Sequence, residues 1–62
     1  MGVRLVKAFE VARKNGGVQA QCRLAIKVGM SVKKAEKEPD NQRNIVKMQV
    51  ALTEVLGKQM EI

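Results

Sequence analysis

A glycine and a serine two positions apart, near the middle of the chain, constrain the fold more than any other feature. Gly29 ends one run of apolar residues at helical spacing, and Ser31 begins another. Glycine accepts the left-handed backbone that closes a helix, and a serine hydroxyl can accept from an exposed N–H at the start of the next helix. The junction therefore predicts two helices joined by a tight turn.

Apolar residues recur at helical spacing in the rest of the chain as well. Gly16 and Gly17 are expected to stop the first helix, and Pro39 to stop the third. The pattern predicts an all-α protein, a compact bundle of four short helices over residues of about 3–15, 18–28, 31–38 and 41–56, with the helix-turn-helix at its centre. Residues 1–57 would form a single helical domain, and residues 58–62 a frayed tail.

The second predicted helix carries the widest apolar arc. Its apolar residues cover about half of the helical wheel, whereas an ordinary surface helix has a stripe of roughly 100°. They are Val18, Cys22, Leu24, Ala25, Ile26 and Val28. We therefore expect this helix to be central, with neighbours on two sides and with Cys22 buried as a structural thiol.

The last predicted helix has two apolar stripes, and a chain of 62 residues has little core in which to bury both. One stripe holds Ile45, Met48, Leu52 and Val55, and the other holds Val46 and Val50. We expect one of them to form a homo-oligomer interface, in the simplest case a dimer. The alternative is that the two valines are merely exposed, as single apolar side chains often are.

The positive charge is concentrated in the N-terminal half of the chain. The net charge is +6, and the residues through Lys34 include eight cations and one acid, whereas those after it include four cations and five acids. Such an asymmetry favours a polyanionic partner, although a solvated basic surface is the alternative.

Several classes of function lack the residues they need. The chain has no histidine, one cysteine, one aspartate and no glycine-rich phosphate loop, so we expect no enzymatic activity, no cofactor and no metal site. No apolar run approaches the roughly 18 residues of a membrane span. The lone cysteine argues against a disulfide-stapled secreted domain, and a cytoplasmic location is expected.

The central junction resembles a known DNA-binding motif. The pattern Gln21-x-x-Leu24-Ala25-x-x-x-Gly29-x-Ser31 is similar to the second helix and turn of the helix-turn-helix domains of the phage repressor and Cro type. The resemblance covers about residues 21–35 and implies DNA contacts from the helix after the turn, with a backbone contact from Gln21.

The residues available for such contacts favour phosphates over bases. The exposed positions after the turn offer lysines, with Glu36 and Glu38 interleaved, and Pro39 ends the helix early. Lysine positions a protein on phosphates better than it reads bases. Weak or sequence-independent nucleic-acid binding is therefore expected, and a helical interaction module without a nucleic-acid role is the alternative. The candidate contacts are Arg4, Lys7, Gln21, Arg23, Lys27, Lys33, Lys34 and Lys37.

Overall fold

The first helix is the longest and bends sharply near its middle. A computed structural model, which describes residues 2–62, shows α1 at Val3–Val28. Gly17 within it has φ 76° and ψ −172°, a conformation that is essentially restricted to glycine. A straight helix of this length would measure about 39 Å, whereas the longest dimension of the Cα trace is 25 Å. The bend divides α1 into a first arm, residues 3–16, and a second arm, residues 18–28.

The expected count of four helices is wrong. The described residues form three helices and no strand: α1 at Val3–Val28, α2 at Val32–Lys37 and α3 at Gln42–Leu56. The helices expected over residues 3–15 and 18–28 are one, because Gly17 alone departs from helical geometry and the glycine pair bends the helix instead of ending it. All of the regular structure is helical, as expected.

The turn between α1 and α2 has the predicted construction. Gly29 adopts φ 69° and ψ 29°, and its N–H donates to the Ala25 carbonyl oxygen at 3.0 Å. The Ser31 Oγ accepts from the Lys34 N–H at 3.2 Å and caps α2. The end of α1 and the start of α2 are therefore set by hydrogen bonds that span four residues or fewer.

The core lies between the two arms of α1 and the inner side of α3, and α2 adds one alanine from its own side. Its largest fully buried side chain is Phe9, the one aromatic residue of the chain. The buried apolar residues are Leu5, Ala8, Phe9, Ala12, Ala20, Leu24, Val28, Ala35, Met48, Ala51 and Leu52. No polar or charged residue among 2–62 belongs to this buried group.

The second arm of α1 is less central than its apolar arc predicts. Leu24 and Val28 are buried, but Val18 is 58% exposed, Ile26 is 81% exposed and Cys22 lies at the surface. The rest of the molecule packs against one side of this arm, and three helices leave nothing to cover the other. We call Val18, Cys22 and Ile26 the outer stripe of α1. The expectation of a buried thiol is wrong for this reason.

The residues after α3 return to the core. Gly57 closes α3 in the left-handed conformation, and the chain beyond it has no regular secondary structure. Met60 and Ile62 are partly buried against the core, and the Gln49 Nε2 donates to the Met60 carbonyl oxygen. The segment expected to fray thus packs beside α3, because its two apolar side chains cover part of the core that the three helices leave exposed.

Candidate nucleic-acid interface

The solvent side of α2 carries three exposed lysines. Lys33 and Lys37 are one helical turn apart, and Lys34 lies beside them. Ala35, on the opposite side of the helix, has no exposed surface. We call Lys33, Lys34 and Lys37 the lysine face of α2. None of the three forms an ion pair with any residue in the described part of the chain.

Backbone contacts from the start of α1 hold α2 in place. The Gly2 N–H donates to the Glu36 carbonyl oxygen at 3.3 Å. A Cβ atom at Gly2 would overlap the Ala35 carbonyl oxygen, so only glycine permits this approach. Asp40, just after α2, accepts from the Arg4 N–H at 3.1 Å through Oδ2 and caps the first turn of α1.

The carboxylates of α2 lie to the side of its lysines. Glu36 lines a shallow groove of about 470 Å³ between α2 and the first arm, together with Val3, Val6, Lys7 and Glu10. Glu38 is half-buried at the C-cap of α2. The lysine face therefore has no carboxylate between its members, in contrast to the interleaving that the sequence suggests.

The other predicted contact residues do not join this face. Lys27 on the second arm pairs with Glu54 of α3, with 3.1 Å between Nζ and Oε2. Arg23 is exposed near that pair, in a depression that also includes Ile26 and Val55. The Gln21 Nε2 donates to the Phe9 carbonyl oxygen at 3.4 Å and links the two arms of α1.

The two remaining candidates lie on the first arm. Lys7 shares its groove with the carboxylates of Glu10 and Glu36, and Arg4 lies at the first turn of α1 beside the Asp40 cap. Of the eight predicted contacts, the structure thus places three on one uninterrupted face and distributes the other five. Arg23, like Arg4 and Lys7, is exposed and forms no ion pair within residues 2–62, but it lies on the second arm of α1 and not on α2.

The predicted oligomer residues fall on opposite sides of α3. Met48 and Leu52 are buried in the core of the monomer, and Ile45 and Val55 are half-buried. Val46 and Val50 are 48% and 53% exposed. The first stripe therefore builds the monomer, and the valine stripe alone is available for contact with another molecule.

Two charged residues that the sequence reasoning did not select lie beside the exposed valines. Arg43 and Glu54 are exposed on the same side of α3 as Val46 and Val50. Their spacing of eleven positions returns to the same direction on a helical wheel within about 20°. This spacing can be read from the sequence and could have identified the two residues, because it places opposite charges on one face of a helix.

Neither a metal site nor a membrane span can be built from the described residues. Residues 2–62 contain no cluster of three or more histidine, cysteine, aspartate or glutamate side chains that could hold a metal ion. None of the helices in that range is long and apolar enough to cross a bilayer.

Comparison with known proteins identifies no relative. No family model matches the chain, and neither the curated proteins nor the solved structures show significant similarity to it.

Proposed function

We propose that this protein binds nucleic acid through the lysine face of α2, mainly by contacts to phosphates. The observation that carries the proposal is the arrangement of Lys33, Lys34 and Lys37. They lie within one and a half turns of a helix, exposed, with no carboxylate between them and no intramolecular ion pair in the described chain. Three cations at this spacing attract a polyanion whose charges are closely and regularly spaced, as those of duplex DNA are.

The dimensions of α2 favour phosphate contacts over base reading. Its six residues span about 9 Å, which is a short element to lay along a major groove. Lysine also acts as a point charge, whereas arginine, asparagine and glutamine make the paired hydrogen bonds that distinguish bases. The turn built by Gly29 and Ser31 supports the resemblance to helix-turn-helix domains of the repressor and Cro type. We therefore propose a binding module, not an enzyme, with little sequence preference.

The net charge of the chain supports the same proposal. Of its twelve lysines and arginines, one forms an ion pair within residues 2–62, so most of the charge of +6 is available to a partner. We place this activity in the cytoplasm, where the unpaired thiol of Cys22 would stay reduced.

A second candidate function is self-association through α3. The specific observation is that Val46 and Val50 remain about half exposed after the inner stripe of the same helix has entered the core. Two large apolar side chains one turn apart on a helix surface suit contact with another helix. The two candidates are compatible, because helix-turn-helix proteins commonly act as dimers.

The salt dependence of binding tests the first proposal. Fluorescence anisotropy with a labelled duplex DNA should give a slope of log K against log salt of about −2.7 if three phosphates are contacted. Affinity would then fall roughly 40-fold between about 50 and 200 mM salt. A protein that does not bind at the lower concentration would contradict the proposal.

Two matched variants separate the location of the charge from its amount. The first replaces the lysine face with neutral glutamine: Lys33→Gln, Lys34→Gln and Lys37→Gln. The second removes the same charge outside α2: Arg13→Gln and Lys14→Gln on the first arm of α1, and Lys58→Gln after α3. We expect the first variant to lose most of the binding and most of the salt slope, and the second to lose little of either. Equal losses would show that net charge alone drives binding.

A further inference from the structure

The outer face of α3 combines two apolar residues with opposite charges at its two ends. Its exposed residues are Arg43, Val46, Lys47, Val50 and Glu54, and we use the name outer face of α3 for this set. Arg43, Val46, Val50 and Glu54 follow one another at intervals of three and four positions, and Lys47 comes four positions after Arg43, so the five share one side of the helix. The valines lie in the middle, Arg43 lies toward the N-terminal end and Glu54 toward the C-terminal end.

We propose that two copies of the protein pair antiparallel through the outer face of α3, with Arg43 of each copy bonded to Glu54 of the other. This inference rests on the self-association proposed above and gives it a geometry. A twofold axis midway between positions 48 and 49 sets position 43 of one copy opposite position 54 of the other. It also brings Val46 of each copy within one residue of Val50 of the other. The twofold axis thus forms both the contact between Val46 and Val50 and the ion pair between Arg43 and Glu54 twice.

The helical wheel allows both ion pairs to form together. When two helices pair face to face about a twofold axis that lies in the interface, a given flank of one helix meets the same flank of the other. Arg43 and Glu54 lie on the same flank, within about 20° of each other. Glu54 already accepts from Lys27 through Oε2, but its side chain is 58% exposed and a carboxylate has further acceptor sites.

Charge argues against the competing arrangements of two copies. A parallel pairing of the same face would set Arg43 against Arg43 and Glu54 against Glu54. The outer stripe of α1 is more exposed than the valines of α3, but Arg23 and Lys27 border it on one flank. A twofold axis through that stripe would bring these cations together, because like flanks meet. The two Lys47 side chains also approach one another near the axis through the outer face of α3, but there Glu54 of each copy offsets the cations by pairing with Arg43. The second arm of α1, residues 18–28, has no acid that could do the same.

The pairing is expected to be weak. One helix-to-helix contact centred on two valines per copy falls below the roughly 1,200 Å² of a stable interface. We therefore expect a monomer at about 10 μM and a substantial fraction of dimer near about 1 mM, in the range of transient contacts.

Charge reversal tests the geometry by sedimentation equilibrium over that concentration range. Arg43→Glu and Glu54→Arg should each lower the dimerisation constant at least about tenfold, because each places like charges opposite one another twice. An equimolar mixture of the two variants should form a heterodimer about as strong as the wild-type dimer. Opposite charges then face each other at both ends of the contact, once with the wild-type residues and once with the signs exchanged. A purely intramolecular role for either residue could not produce this recovery on mixing.

Two control variants isolate the contact. Lys27→Gln removes the intramolecular partner of Glu54 but keeps the outer face of α3 intact, and Ile26→Asp adds a charge to the outer stripe of α1. Both should dimerise like the wild type, and circular dichroism should show all four variants to be helical.

The outcomes also distinguish this inference from the self-association on which it rests. A wild-type protein that stays monomeric at about 1 mM overturns both. A dimer that survives both charge reversals, that is lost in Ile26→Asp, or that does not re-form on mixing overturns the antiparallel geometry and leaves self-association standing.

Discussion

The lysine face of α2 and the outer face of α3 are both helix surfaces directed at solvent, but very different amounts of core support them. α3 has 15 residues and buries Met48, Ala51 and Leu52, whereas α2 has six residues and buries Ala35 alone. A helix of six residues is not stable by itself in water. The lysine face therefore depends on contacts from the start of α1 and from the turn. The outer face of α3 depends on the core that its own helix helps to form.

The difference means that separate mutations should abolish nucleic-acid binding and self-association. A change that loosens α2 should reduce nucleic-acid binding without altering a single charge, and it should leave pairing through α3 intact. A change on the buried side of α3 should instead destabilise the whole molecule, because that helix supplies the side of the core opposite α1.

The largest effect is expected at the inner side of α3. Leu52→Ala should lower the free energy of unfolding by about 2–5 kcal/mol, because it removes a fully buried side chain and leaves a cavity. Urea denaturation followed by circular dichroism, at a protein concentration where the monomer prevails, measures this loss. Val50→Ala on the exposed side of the same helix is the control and should change stability by about 0.5 kcal/mol or less. Similar losses in both variants would mean that α3 is oriented differently.

The next effect concerns the contact between α1 and α2. Gly2→Ala should destabilise the fold by about 1–3 kcal/mol, because its Cβ would overlap the Ala35 carbonyl oxygen. DNA affinity should fall as well, although no charge changes, since α2 must move. Val3→Ala removes an adjacent side chain that is 70% exposed and should have neither effect. Unchanged stability and unchanged DNA binding in Gly2→Ala would contradict the close approach of the two helices.

The serine that caps α2 and the asparagine that caps α3 allow a matched comparison of the two helices. Ser31 accepts from the Lys34 N–H at 3.2 Å, and Asn41 accepts from the Asn44 N–H at 2.8 Å. Replacing either by alanine should cost about 1 kcal/mol in unfolding free energy. Only Ser31→Ala should also weaken DNA binding in the anisotropy titration, because the shorter helix relies more on its cap. Equal weakening by Asn41→Ala would place the binding surface elsewhere.

The smallest effect is expected for the ion pair between α1 and α3. Lys27 and Glu54 are 46% and 58% exposed, so their coupling free energy should be about 0.2–1 kcal/mol and should shrink in high salt. A double-mutant cycle with Lys27→Ala and Glu54→Ala, repeated at low and at high ionic strength, measures it. A larger coupling that is insensitive to salt would indicate that the pair is shielded from solvent.

Much of the local structure could be predicted because short-range hydrogen bonds specify it. The cap at Ser31, the turn at Gly29 and the end of α3 at Gly57 each involve residues no more than four positions apart. The bend at Gly17 was harder to predict. Two adjacent glycines are compatible with either a stop or a bend, and the choice depends on whether the second arm can pack back against the first.

The candidate sites were less predictable than the helices. The wide apolar arc of the second arm indicated burial on two sides, but the three-helix fold covers only one side and leaves Ile26 at the surface. Lys27 was predicted to contact nucleic acid, but in the structure it pairs with Glu54, which lies 27 positions away in the sequence. Gln21 similarly turns its amide to the first arm. Each of these outcomes depends on a neighbour that is remote in sequence.

The sequence by itself determined that the chain is helical, where α2 and α3 begin and end, and that its charge is strongly positive, because propensity, capping and composition act within a few residues. The tertiary structure decided which helix faces meet water: it buried Met48 and Leu52, exposed Val46 and Val50, and left three lysines of α2 together without a carboxylate between them. The physical reason is that burial and charge pairing depend on distances between elements, and those distances are set only when the arms of α1 fold against α3.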